Sequence, residues 1–214
     1  LKLLMNILIT GGLGYVGSHV VADLIKKNYN PVIIDNFSNS TEQSIDRIEK
    51  IAKKKISFYE IDLLDHASLN NLFNQCNFSY VMHFAGLKSV KESMVKPIDY
   101  YYNNVGGTIT LLNIMKSHKV KKIIFSSSAT VYGEPKYLPM TEEHPTNPIN
   151  IYGKTKLLSE NIFKDVFEFD NEWRIICLRY FNPIGYHPSG LLGDNFKLSS
   201  DNLMPKIINV ASAP

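Results

Sequence analysis

Six short runs rich in β-branched residues alternate along this chain with longer amphipathic segments, and that alternation restricts the fold more than any other feature. The runs fall at Asn6–Thr10, Pro31–Asp35, Ile56–Ile61, Tyr80–Phe84, Lys122–Ser127 and Ile175–Tyr180. They are bounded by turn-forming residues and read as strands. Between them, Val16–Asn28, Glu42–Lys53, Ser68–Cys76, Ile98–Lys119 and Tyr152–Phe169 carry apolar residues at helical spacing. In the last, Leu157, Leu158, Ile162, Val166 and Phe169 recur every three to four positions. A strand that returns through a helix must pair in parallel, with helices covering both faces of the sheet. The expected class is therefore α/β, a doubly wound parallel sheet.

The bulk numbers fit such a fold and remove several functions. At 214 residues and 44% hydrophobic, the chain has enough apolar material for one good core and part of a second domain. A net charge of +3 gives no reason to expect a nucleic-acid partner. The Lys-rich stretches 53–55 and 116–122 alternate with apolar residues and read as solvated element ends. Cys76 and Cys177 lie in no CxxC pair, so neither a disulfide framework nor a metal site is expected, and a reducing, cytoplasmic setting fits. No run approaches the ~18 apolar residues of a membrane span. Leu1–Thr10 reads as a first strand, with Leu1–Leu4 an extension, and not as a signal peptide.

Strand one runs straight into Thr10-Gly11-Gly12-Leu13-Gly14-Tyr15-Val16-Gly17 and then a helix. Glycine permits a positive-φ turn and close approach of backbone to a pyrophosphate, which the unpaired N–H groups of the next helix receive. The motif is weak alone. Here it is answered by Asp35 closing strand two, where a carboxylate accepts ribose hydroxyls and repels a 2′-phosphate. This points to a Rossmann-type sheet holding NAD in preference to NADP. Asp62 and Leu63, closing strand three, take the position beside an adenine.

A second constellation lies further along. Tyr152-Gly153-Lys154-Thr155-Lys156 puts a tyrosine and a lysine at i and i+4 on one helix face, and Ser126-Ser127-Ser128 closes strand five. A phenol that titrates near 10 must fall by about three units to serve as a base near neutrality, or about 4 kcal/mol. A lysine ammonium a few ångströms away, helped by a cationic nicotinamide, is of that size. His83, preceding Phe84 on a buried strand, reads as a hydrogen-bonded core histidine.

With these residues in place, the sequence resembles the extended short-chain dehydrogenase/reductase family and, within it, the UDP-glucose 4-epimerases. The likeness runs from Met5 nearly to Val210. It is carried by Gly-Gly-Leu-Gly-Tyr-Val-Gly-Ser-His at 11–19, His-Phe-Ala-Gly-Leu-Lys-Ser-Val at 83–90, and Tyr-Tyr-Tyr-Asn-Asn-Val-Gly-Gly-Thr at 100–108. Phe-Ser-Ser-Ser-Ala-Thr-Val-Tyr-Gly at 125–133, Leu-Arg-Tyr-Phe-Asn-Pro at 178–183 and Asn-Leu-Met-Pro at 202–205 complete it.

The resemblance implies a set of roles. Gly11, Gly14 and Gly17 with Tyr15 and Val16 would wrap the pyrophosphate, while Asp35, Asn36, Asn39 and Ser40 hold the adenosine ribose. Asp62 and Leu63 would meet the adenine, and Phe84, Ala85, Gly86 and Lys88 line the cofactor channel, with Asn104 near the nicotinamide end. Ser128 and Tyr152 would meet the sugar O4. Lys156 would bind the nicotinamide ribose and acidify the tyrosine, and Tyr180 would pack on the nicotinamide. Asn182, Asn202 and Leu203 would hold the sugar–diphosphate side. The resemblance further implies UDP-glucose and UDP-galactose as substrates. It also implies a homodimer through the helices near 98–119 and 152–169.

Residues 1–180 are then expected to form the NAD-binding domain and 181–214 the beginning of a smaller substrate-binding domain. Phe181–Asn202, rich in Pro, Gly, Ser and Asn, is too long an irregular stretch to be a mere connection. It is expected to cross the cleft beside the strand ends. Family members continue past Pro214, so the chain reads as C-terminally truncated. Where the family has two asparagines before Leu-Met-Pro, this chain has Asp201-Asn202. Three alternatives stay open: a UDP-N-acetylhexosamine 4-epimerase, a catalytically incomplete NAD-binding fragment, or a sugar-nucleotide 4,6-dehydratase. The last usually carries Asp-Glu just after strand five, where this chain has Ala129-Thr130.

Overall fold

A computed structural model of the chain describes residues 5–194 together with Ile207, Val210 and Ala211. Strands β1 (Asn6–Thr10), β2 (Asn30–Asp35), β3 (Ser57–Glu60), β4 (Phe78–His83), β5 (Lys122–Ser128) and β6 (Arg174–Tyr180) form one sheet. Every pairing is parallel, and the strand order is β3-β2-β1-β4-β5-β6. The chain winds outward from β1, crosses back, and winds the other way from β4. A crevice therefore opens above the C-terminal ends of β1 and β4, the switch point where such sheets bind ligands. The expected Rossmann-type fold is present.

Period-two alternation sorts the core into two layers. Leu8, Val32 and Ile34 face one side and pack with Leu69, Leu72 and Phe73 of α3 (His66–Gln75). Leu111, Leu112 and Met115 of α6 (Gly107–Ser117) and Phe163 of α7 (Ile151–Phe169) join them. Ile7, Ile9 and Ile33 face the other side, against Val21, Ala22 and Ile25 of α1 (Tyr15–Lys26) and Ile48 of α2 (Gln43–Ala52). Each such aliphatic side chain contributes about 1.5–3 kcal/mol by leaving water.

One expected helix is built differently. The run 98–119 reads as a single helix, yet the structure breaks it into α5 (Pro97–Tyr100), a π-helical turn (Tyr101–Gly106) and α6. A short helix that the pattern did not suggest, α4 (Val90–Val95), precedes them. The cause of the wide turn is local. Paired Gly106-Gly107 weakens the α ladder, and the Thr108 hydroxyl donates to the Asn104 carbonyl at 2.7 Å, drawing that acceptor away from its helical role. Single π turns of this kind concentrate at functional sites.

Candidate active site

A cleft of about 470 Å³ runs along the C-terminal strand ends. Its first section is the glycine turn. Gly11 has φ +66°, and a Cβ there would stand 2.6 Å from the Ala85 backbone nitrogen, so only glycine lets the turn pass under the β4 tail. Gly14, Tyr15, Val16 and Gly17 line the cleft where α1 begins, with the first-turn N–H groups available to an anion.

Beyond the turn sits Asp35, 8% exposed. Its Oδ2 accepts the Leu13 N–H at 3.1 Å, while Oδ1 accepts the Phe37 N–H at 3.0 Å and the Ser40 hydroxyl at 2.8 Å. Three of roughly four acceptor positions are filled by the protein, leaving one at Oδ2 for a ligand hydroxyl. Asn36 donates to Asp62 Oδ2 at 2.7 Å, and Asp62 Oδ1 takes the Leu64 N–H at 2.8 Å, so Asp62 is itself a loop fastener. Asn36, Asn39, Ser40, Asp62 and Leu63 all reach the cleft wall. So do Phe84, Ala85, Gly86 and Lys88, the last with its ammonium 3.9 Å from Asp194.

Asn104 stands buried behind the cleft wall, next to Gly86 and Thr155, while Asn103 lines the cleft itself. The Asn104 carboxamide is consumed within the protein: Oδ1 accepts the Leu87 N–H, and Nδ2 donates to the Leu87 carbonyl and to Thr155 Oγ1. Below it runs a polar ladder whose proton directions can be assigned. Thr108 spends its proton on the Asn104 carbonyl, so it accepts from His83 Nε2–H at 3.1 Å. His83 Nδ1 then accepts the Thr10 hydroxyl at 2.7 Å, and Thr10 Oγ1 accepts the Ala85 N–H at 3.2 Å. His83 is 2% exposed, and burial, with the Lys156 charge second, pushes its pKa down to about 3. It is a neutral core histidine.

The reactive end is assembled by α7. Asn150 caps the helix by accepting the Gly153 N–H at 2.7 Å. Gly153 has no Cβ, which would lie 2.7 Å from the Thr130 carbonyl oxygen, so the helix packs tightly on the turn that follows β5. That contact brings Tyr152 against Ser128. The Ser128 oxygen accepts both the N–H (3.2 Å) and the hydroxyl (3.0 Å) of Thr130. Its own proton is thereby directed to the Tyr152 phenol, a bond that favours the phenolate. Lys156, 4% exposed, lies one turn on, its Nζ donating to the Ser126 carbonyl at 2.9 Å and standing 5.8 Å from the Tyr152 ring centre. Tyr180 pairs across the sheet with Ser128, and Asn182 follows it into the cleft.

Burial raises the Tyr152 phenol from its ordinary value, and the Ser128 bond offsets that only in part. Burial also lowers Lys156 to about 8. Helical spacing secured adjacency of the pair, but desolvation opposes both charged forms.

The sequence did not mark Ser38, Thr130, Tyr186 or Asp194, all of which line the cleft. The signal for the last two was the irregular stretch itself: 181–186 passes along the cleft, and the Tyr15 hydroxyl donates to the Gly185 carbonyl at 2.9 Å. Asn202 and Leu203 lie outside the described residues. Among the described residues no helix is long and apolar enough to cross a membrane, and no cluster of acidic, His or Cys side chains could hold a metal.

A parallel sheet of this order, a glycine turn at its switch point and a Ser/Tyr/Lys set at the far end of one cleft define a dinucleotide-type sheet carrying an acid–base site. A family model described as GDP-mannose 4,6 dehydratase matches residues 8–212, and the chain belongs to that family. The chain's similar relatives include 4-epimerases. The UDP-glucose 4-epimerase of Dictyostelium discoideum is 51% identical over 206 residues, covering 96% of this chain and 60% of that protein. The UDP-glucose 4-epimerase of Stenotrophomonas maltophila, solved with bound NAD and formylated UDP-arabinopyranose, superposes with a TM-score of 0.94 at 39% identity. That match covers 97% of this chain and 62% of the other. The Bifidobacterium longum enzyme, solved with NAD+ and UDP, gives 0.87 at 49% identity over 89% of this chain and 57% of that one. The chain thus spans about 60% of the length of the curated relatives it matches.

Proposed function

We propose that the chain carries the cofactor-binding and proton-transfer parts of a UDP-glucose 4-epimerase, which inverts C4 of a UDP-hexose with NAD held in the cleft. The observation that carries this reading is the convergence of Ser128, Tyr152 and Lys156 at one end of a cleft whose other end holds the glycine turn and Asp35. The residues present fit NAD: the α1 N-terminus faces the pyrophosphate position, and Asp35 keeps one acceptor for a ribose hydroxyl while repelling a 2′-phosphate. When bound, NAD supplies the acceptor and later donor of a hydride at C4.

The protein's own part is to hold and move one proton. Tyr152 Oη takes the proton of the sugar 4-hydroxyl and later returns it to that same O4, inversion following from which face of C4 the turned sugar presents to the cofactor. Ser128 steadies the developing phenolate by the hydrogen bond that Thr130 orients, and the Lys156 ammonium adds positive charge beside the same ring. Because burial raises the phenol, its ionisation depends on charge brought into the cleft together with Lys156. Asn182, with Asn202 and Leu203, contributes the sugar–diphosphate side.

A 4,6-dehydratase, the activity after which the family model is described, needs an acid–base pair for elimination. Ala129 and Thr130 stand where that pair would sit, and among the described residues the carboxylates on the cleft wall are Asp35, Asp62 and Asp194. This favours epimerisation. Exposed Ile98 (79%) and Phe169 (87%), on the α5 and α7 surfaces, support a homodimer through these helices. The two free cysteines suit a reducing cytoplasm.

The test combines absorbance of bound NAD with conversion of UDP-galactose to UDP-glucose, run on this chain and on a form extended to the length of its relatives. NAD retention with turnover in the extended form is the expected result. NAD retention without turnover in either form would reduce the chain to a dinucleotide-holding module.

A further inference from the structure

Glu160, Arg179 and Ser127 meet at a junction of three elements, and each is one step from a residue of the reactive end. Arg179 Nε donates to Glu160 Oε1 and Oε2 at 3.1 and 3.2 Å, and Nη2 donates to Oε2 at 2.7 Å. The Ser127 hydroxyl closes on Glu160 Oε1. The guanidinium lies 4.9 Å over the Tyr132 ring, and Nη1 donates to the Glu142 carbonyl at 3.3 Å. The Glu160 side chain is 9% exposed and that of Arg179 22%. A largely buried ion pair is a poor source of net stability, because desolvation cancels most of its Coulomb gain. What such a pair does supply is a fixed geometry, since a planar fork on a carboxylate admits few arrangements.

That geometry falls where the reactive end needs it. Ser127 precedes Ser128 on β5, and Arg179 precedes Tyr180 on β6, with Ser127 opposite Arg179 and Ser128 opposite Tyr180 in the sheet register. Glu160 lies one helical turn beyond Lys156 on α7. We propose that the Glu160–Arg179–Ser127 junction is a positioning device that locks α7 to the ends of β5 and β6, fixing Lys156 and Tyr152 against Ser126 and Ser128. The three act through their neighbours. The assignment to epimerisation rests on the functional reading above; the positioning role does not.

Lys156 reports on it directly. Its Nζ is held by the Ser126 carbonyl, next to Ser127, and stands 4.8 Å over the Phe125 ring. The titratable groups facing it are the Tyr152 phenol on its own helix and the neutral His83 of β4. Burial keeps it near 8, so slippage of α7 from β5 admits water and moves it up toward the ordinary lysine value. Two substitutions disturb the fork without changing charge: Arg179→Lys replaces a planar fork by a point donor, and Glu160→Asp shortens the reach by about 1.5 Å.

The experiment follows the Lys156 titration by NMR in the full chain carrying 13C-labelled lysine, with Lys156→Met to assign the signal and thermal melting to verify folding. Folded R179K and E160D are expected to raise the Lys156 midpoint by about one unit. Ser127→Ala, which removes one hydroxyl and no charge, is expected to raise it by less and remains informative if either other variant fails to fold. In an extended form that turns over, R179K is expected to lower kcat about tenfold or more with KM nearly unchanged. Midpoints within about 0.2 unit of the parent in the folded variants would overturn the proposal. Shifted midpoints in the variants of a parent that binds NAD but never epimerises would sink the epimerase reading and leave the junction's role standing.

Discussion

Asn104 closes on both backbone polar groups of Leu87, accepting its N–H at 2.8 Å and donating to its carbonyl at 3.0 Å. The side chain is thereby a clamp on the loop forming the cleft wall. Asn104→Asp keeps the shape and removes the donor, so two acceptors face each other in a buried setting. The expected loss is about 2–3 kcal/mol in denaturant unfolding. Weaker dinucleotide retention should accompany it, because the Gly86–Lys88 wall loosens.

The His83 ladder predicts acid sensitivity. Its folded pKa of about 3 lies below the ordinary 6.5, so between those values the unfolded chain binds more protons than the folded one. This contribution to stability is complete above about 6.5 and lost as pH falls toward 3. The buried shift corresponds to roughly 4–5 kcal/mol. His83→Gln, whose carboxamide can accept from Thr10 and donate to Thr108, should flatten the stability curve in that window. Urea unfolding of both proteins at pH 7 and pH 4 measures the difference.

Tyr152→Phe should remove turnover from any active form by three or more orders of magnitude while leaving NAD absorbance in place. Thr130→Val is the subtler change. It takes one of two donors from the Ser128 oxygen, freeing that hydroxyl to turn from the phenol, and a fall in kcat of about three- to tenfold is expected. Equal kcat in T130V and parent would show that Thr130 does not orient Ser128.

Gly11→Ala should be more damaging than any charge removed from the cleft. The added methyl meets the Ala85 nitrogen, Ala85 Cα and the Phe84 carbonyl carbon, all at 2.9 Å or less, on a residue with φ +66°. Stability should fall by about 2 kcal/mol or more, with dinucleotide binding lost, as melting and bound absorbance would record.

Much of this was readable in the residues. Leu8 and Ile9, adjacent in sequence, enter opposite core layers, as period two demands. The glycine turn, Asp35 and the Tyr152/Lys156 spacing share one cleft because each motif is short and set by its own strand end or helix. What escaped depends on contacts between distant segments. The posture of Asn104 follows from a wide helical turn, and Glu160 and Arg179, 19 positions apart, signal nothing until two elements meet. The burial of Tyr152 escaped because spacing reports which groups are neighbours, while desolvation depends on what covers them. Helix α4 could have been found: Ser89 and Glu92 form a capping signature, and the Glu92 N–H reaches Ser89 Oγ at 3.2 Å.

The wide turn at Tyr101–Gly106 has a mechanical corollary. One residue more than an α turn requires rotates everything after it by about 100°. Excising a residue there would restore a regular spiral and raise its intrinsic helix preference. The same excision would swing Asn104 off Leu87 or drive Leu111 and Met115 out of register with the sheet. A better helix would make a poorer protein, because the irregularity serves both the loop above it and the core below.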